Sequence, residues 1–156
     1  MKSEFVYVSY IKTTSEKLWQ LFTTPELIKQ WWGGGINVES EWKTGSAWTM
    51  RYEDGRAADV GEILEIDPPG RLVLRWRNES DPEMKKEGFS RCAIDLEQMD
   101  GAVKLTVTHG MDVPDSKFIE AVSGGWPLVL SNLKSLVELG EIVFKERTDS
   151  YGRGRS

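Results

Sequence analysis

An α+β fold, with helices set apart from one continuous antiparallel sheet, is predicted by three features of the sequence. Residues 36–110 carry four turn signals that separate runs of alternating side chains. Ser123–Gly140 has apolar residues at alternating steps of three and four, the period of a helix. Two short helical patterns lie between the first strand and the meander. A sheet of six or seven strands twists and curls, and only the long terminal helix is large enough to fill its concave face.

Phe5–Ile11 alternates bulky residues on both faces and reads as a strand. Thr13-Thr14-Ser15-Glu16 follows as a capping box with Thr13 as cap, opening a helix that turns Leu18, Trp19, Leu21 and Phe22 inward. Thr24-Pro25 starts a second helix, with proline at its first position, that runs to about Trp31. After Gly33-Gly34-Gly35 the chain becomes strand-like.

The turns are Lys43-Thr44-Gly45, Asp54-Gly55, Pro68-Pro69-Gly70 and Asp100-Gly101. Between them Leu72, Leu74 and Trp76 oppose Arg71, Arg75 and Arg77. Cys92, Ile94 and Leu96 oppose Arg91, Ala93, Asp95 and Glu97, and Val103, Leu105, Val107 and His109 oppose Lys104, Thr106 and Thr108. Such alternation in successive hairpins predicts an antiparallel meander with one wet face. Asn78–Glu87 reads as a charged loop.

In the terminal helix, Trp126, Val129, Leu130, Leu133, Leu136 and Val137 share one side, while Leu128 and Leu139 widen the apolar arc. Gly124-Gly125 loosens the chain before the expected start at Trp126, and Gly140 stops the helix. Ile142, Val143 and Phe144 either extend the helix or dock. Residues 1–147 are expected to form one domain, followed by a disordered tail at 148–156 that contains Gly152-Arg153-Gly154-Arg155.

Composition bounds the function. A 156-residue chain with 39% hydrophobic and 29% charged residues is ordinary for a soluble globular protein. Seven tryptophans are not ordinary, and most fall in the expected strands and helices. A net charge of −5 argues against nucleic acid, which needs a concentrated basic surface. One cysteine excludes an internal disulfide and makes a reducing cytoplasm the simplest home. The N-terminus lacks the apolar run of a signal peptide, and no segment reads as a membrane span.

The residues also carry a family pattern. Leu18-Trp19, Thr24-Pro25-Glu26-Leu27 and Trp31-Trp32 come first in the chain. They are followed by Gly61–Pro69, Arg71–Trp76, Leu105–His109, and Gly125-Trp126 leading into Leu133-Lys134. Over about residues 4 to 140 this pattern resembles the helix-grip superfamily of START and birch-pollen-allergen-like (SRPBCC) domains. Within that superfamily it is most similar to the domain homologous to the C-terminal part of the activator of the heat-shock-protein-90 ATPase. The resemblance implies a curved antiparallel sheet wrapped around the terminal helix, with a cavity between the two. One scaffold of this kind hosts many ligands and some enzymes.

The leading expectation is therefore a non-enzymatic domain that holds a small apolar or aromatic, lipid-like molecule between sheet and helix. Its walls are Trp48, Met50, Trp76, Ile94, Trp126 and Leu130, with His109 or Tyr52 as polar anchors. One alternative is an interaction module that touches a chaperone or another protein through its outer surface. The other is an enzyme of the polyketide-cyclase kind that uses Glu62 and His109. For that chemistry Glu62 must share the inner face with Val60, Leu64 and Ile66; the opposite register turns Asp59, Gly61, Ile63 and Glu65 inward.

His109, the only histidine, is either a general acid or base or a buried group bonded to backbone or ligand. Cys92 reads as core packing, Gly33-Gly34-Gly35 as a hinge over a cavity mouth, and the arginine row as a solvated face paired across strands with Asp95 and Glu97. With one Cys and one His, no structural zinc set is present, and no metal or cofactor is expected. The expected state is a monomer or weak dimer.

Overall fold

The structure is a computed structural model that describes residues 1–145; the tail read at 148–156 lies outside the described residues. The chain order is β1 (Ser3–Ile11), α1 (Ser15–Thr23), α2 (Pro25–Trp32), β2 (Asn37–Ser40), β3 (Ala47–Arg51), β4 (Ala57–Asp67), β5 (Arg71–Asn78), α3 (Pro82–Lys86), β6 (Ser90–Gln98), β7 (Val103–Met111) and α4 (Lys117–Leu139). Strands β2 to β7 form successive antiparallel hairpins, and β1 closes the order as β1-β7-β6-β5-β4-β3-β2. Register shifts at Met50/Arg51 and Ile63/Glu65 insert bulges beside β4, and bulges bend and twist a strand. The fold is α+β, of the helix-grip type.

Helix α4 spans 23 residues, about 34 Å at the usual rise, and begins nine residues before the expected Trp126. Gly124-Gly125 lie inside it rather than before it, and Pro127 falls in its interior rather than in a first turn. The reason is tertiary. Phe118, Ile119 and Val122 continue the buried stripe of Trp126, Val129, Leu130 and Leu133, so burying the extra turns outweighs the local cost of glycine and proline. The start is fixed by Ser116, whose Oγ accepts from Ile119 N (3.1 Å) and donates to Glu87 Oε1 (2.7 Å). The stop is Gly140, as the sequence predicts, in the left-handed conformation at φ 83°.

Smaller corrections follow the same pattern. The cap of α1 is Thr14, not Thr13, with its side chain accepting from Lys17 N (3.3 Å). The charged loop Asn78–Glu87 contains the short helix α3, capped by Asp81 and pinned by buried Met84. Residues 143 and 144 dock rather than extend α4: Asn132 Oδ1 accepts from Val143 N (3.0 Å) and Phe144 N (2.7 Å). No helix among the described residues is long and apolar enough to cross a membrane.

The core lies between the concave sheet face and α4, and six of the seven tryptophans are buried in the structure. Trp48 on β3 and Trp76 on β5 flank Gly61 of β4, and their rings meet at 4.8 Å. At Gly61 the backbones approach so closely that an added Cβ would sit 1.7 Å from the Arg75 carbonyl oxygen. Gly61→Ala should therefore force strands β4 and β5 apart and cost about 3 kcal/mol or more. Urea denaturation of the purified variant measures this directly; a loss below about 1 kcal/mol would show that the strands tolerate the separation.

Candidate functional site

Between the sheet, α2 and α4 lies one apolar space of about 30 Å3, room for a water molecule or two and too small for any larger occupant. Five of the sequence-predicted wall and anchor residues line it: Trp48, Met50, Trp76, Ile94 and Trp126. The other three do not. Leu130 is fully buried in the core behind the wall. Tyr52 sits half-buried in the β3–β4 turn, under the Arg56 guanidinium at 5.1 Å. His109 is buried one layer away, with its ring 5.0 Å from that of Trp76.

Both nitrogens of His109 are engaged inside the protein. Trp126 Nε1 donates to His109 Nδ1 (3.1 Å), which leaves the proton on Nε2, facing Ser90 Oγ at 2.8 Å. Ser90 Oγ in turn donates to the Trp76 carbonyl (2.7 Å). Burial lowers the imidazole pKa from 6.5 to about 3, so the ring is neutral. A neutral ring with both nitrogens committed ties Trp126 of α4, through Ser90, to the backbone of β5.

Glu62 takes the outward register. Its side chain is 40% exposed and lies 3.6 Å from Arg75 Nη1, while Asp59 and Ile63 face inward and are fully buried. Glu62 and His109 therefore lie on opposite faces of the sheet and cannot act on one substrate. The buried carboxylate on the inner face is Asp59, whose Oδ1 accepts from Asn78 Nδ2 (3.0 Å). Cys92 is fully buried, and burial pushes its thiol pKa up, which suits packing rather than nucleophilic chemistry. The arginine row is a solvated, paired face, with Arg71 bonded to Asp95 (2.6 Å) and Glu65 (3.2 Å).

What sequence reasoning missed is the lid of the space, formed by Phe22 of α1 and Ile28, Trp31 and Trp32 of α2. Trp32 reaches across to Trp126 (5.3 Å) and Trp76 (5.9 Å), and Trp31 Nε1 donates to Leu21 O (2.9 Å). The signal was present in the apolar spacing of Ile28, Trp31 and Trp32 just before the glycine run. Gly33, Gly34 and Gly35 all take positive φ (85°, 67° and 69°), so the chain leaves α2 through three consecutive residues that only glycine adopts easily.

With this geometry in hand, comparison with known proteins assigns the chain to a family. A family model described as "Activator of Hsp90 ATPase homolog 1-like protein" matches residues 12–138. The chain belongs to this family. No curated protein matches it. Among solved structures, this Hsp90-ATPase-activator-like chain is similar to a protein of Mesorhizobium loti, with 21% identity and a TM-score of 0.75, over 90% of this chain and 100% of that one. An HSP90 activator from Plasmodium falciparum is 22% identical, with a TM-score of 0.69 over 88% and 96% of the two chains. The Aha1 dimer from Colwellia psychrerythraea is 19% identical, with a TM-score of 0.72 over 88% and 98%. At these identities the likeness is one of fold.

The buried histidine generates a pH prediction. Between about pH 6.5 and pH 3 the unfolded chain takes up a proton that native His109 refuses, so stability is fully present above pH 6.5 and falls as pH is lowered. From pH 7 to pH 5 this one group should remove about 2 kcal/mol, and His109→Gln should show a correspondingly shallower fall in urea stability. Equal pH slopes in the two proteins would show that His109 is protonated in the native state.

Proposed function

We propose that the chain is a small-molecule-binding domain that takes an apolar or aromatic ligand at the tryptophan-lined space, and that α2 must move for the ligand to enter. The observation that carries this reading is the composition of the space: an almost wholly apolar wall whose lid is made mostly of one short helix followed by three glycines. In the closed state described here the space is too small for an organic ligand, so binding is coupled to displacement of Trp31 and Trp32. Burying about 200 Å2 of apolar ligand surface would contribute about 5 kcal/mol before ordering costs, enough to offset a modest opening. One polar group waits at the wall: Trp76 Nε1 is buried and has no acceptor among the described residues. A ligand with a carbonyl or carboxylate oxygen within reach of that indole would satisfy it.

The test is a titration with a flavonoid and with a long-chain fatty acid, read by tryptophan fluorescence and by thermal shift. Ile94→Ala enlarges the space, so it should lower stability by about 2–4 kcal/mol and tighten binding of whichever ligand the wild type accepts. If neither protein responds to either ligand, the reading is wrong.

A second reading, contact with a chaperone, is favoured by the outer face. There Phe89 is 37% exposed beneath the guanidinium groups of Arg75 (4.2 Å) and Arg77 (4.7 Å), an exposed aromatic ring framed by two arginines that are themselves paired with Glu62 and Glu79. Stimulation of a purified heat-shock-protein-90 ATPase that is lost in Phe89→Ala would establish it.

A further inference from the structure

The two edges of the sheet differ. Edge strand β2 has four residues, while edge strand β1 has nine and contains no proline. The Met99 N to Ala102 O bond at the β6–β7 turn fixes the parity of the ladder. Even-numbered residues of β7 bond to β6, so odd-numbered ones bond to the odd-numbered residues of β1. The N–H and C=O groups of Glu4, Val6, Val8 and Tyr10 therefore point to the open edge. Among the described residues only Tyr10 O has a partner there, Lys134 Nζ at 2.5 Å. The same residues carry Val6, Val8 and Tyr10 on the outer face of the sheet, 53%, 42% and 52% exposed. A long edge strand with unpaired backbone and an exposed apolar stripe is a template for another strand.

We infer that β1 pairs antiparallel with β1 of a second copy of this chain, with Val8 on the two-fold axis, joining two sheets into one. The charges select this occupant and this register. With Val8 on the axis, Val6 lies opposite Tyr10 and Glu4 lies opposite Lys12, so each end of the ladder closes on an oppositely charged pair. An axis at Tyr7 sets Lys2 against Lys12, and an axis at Val6 leaves Glu4 opposite Val8. Pairing displaces two side chains from the edge, Lys134 from Tyr10 O and Glu138 from Lys12 N. These two are bonded to each other at 2.9 Å and remain a pair when they leave. The apolar stripe of one copy then continues into that of the other, so Val6, Val8 and Tyr10 lose water on both sides of the axis.

Sedimentation equilibrium over a range of concentrations tests this interface. The wild type should approach the mass of two chains at high micromolar concentration. Val8→Pro removes only an outward N–H and spares the β1–β7 ladder, so it should sediment as one chain with an unchanged melting temperature. Val8→Lys should do the same by placing like charges on the axis. Glu4→Lys and Lys12→Glu should each weaken association, and the double variant Glu4→Lys/Lys12→Glu should restore it. A wild type that stays a single chain at every concentration overturns the inference. So does a dimer that is indifferent to Val8→Pro, or a double variant no better than either single one.

Discussion

The fold depends on the closure of tryptophan rings over a glycine in the middle of the sheet. Gly61 lets β4 and β5 approach so closely that no side chain fits between them, and the rings of Trp48 and Trp76 cover the gap. Trp76 then serves as the centre of the core, with Trp32 of α2, Trp126 of α4, and His109 and Phe118 all packed around it within 6.3 Å. Sheet, lid helix and gripped helix meet on this one side chain. Its contacts are edge-on or tilted rather than face to face, the arrangement that aromatic quadrupoles favour.

Polar groups around this centre orient it without charging it. The chain of bonds from Trp126 through His109 and Ser90 to the Trp76 carbonyl runs from α4 across β7 and β6 to β5, and every group in it is neutral. Such a network sets the rotation of α4 against the sheet, which apolar packing alone leaves less determined. It also engages both nitrogens of the one imidazole. The ionic groups of β5 are on the other face, where Arg71, Arg75 and Arg77 pair with carboxylates at the surface. Inside and outside of the same strand thus do different work: one builds an apolar interior, the other a charged surface.

Much of this was legible before any coordinates. The meander, its turns, the inward face of β5 to β7, and the gripped face of α4 followed from periods of two and of three to four, because burial on one face imposes those periods directly. What was not legible depended on counting through irregular points. The register of β4 around Glu62 stayed open because the bulge between Ile63 and Glu65 breaks the alternation that would have decided it. Gly124 and Gly125 read as a helix boundary since local propensity was the only guide; burial of Phe118 and Val122 beneath them overrode it. Asn132, whose side chain ties residues 143 and 144 to the helix, gave no signal, because an asparagine on a helix is ordinarily a surface residue.

By itself, the sequence determined the class of fold, the order of its elements and the identity of the aromatic residues facing inward, since these follow from residue type and spacing along the chain. Only the tertiary structure decided how much room those aromatics leave. The free volume at a wall is the small difference between large packed volumes contributed by α1, α2, β3, β5 and α4 together. No local pattern encodes that difference.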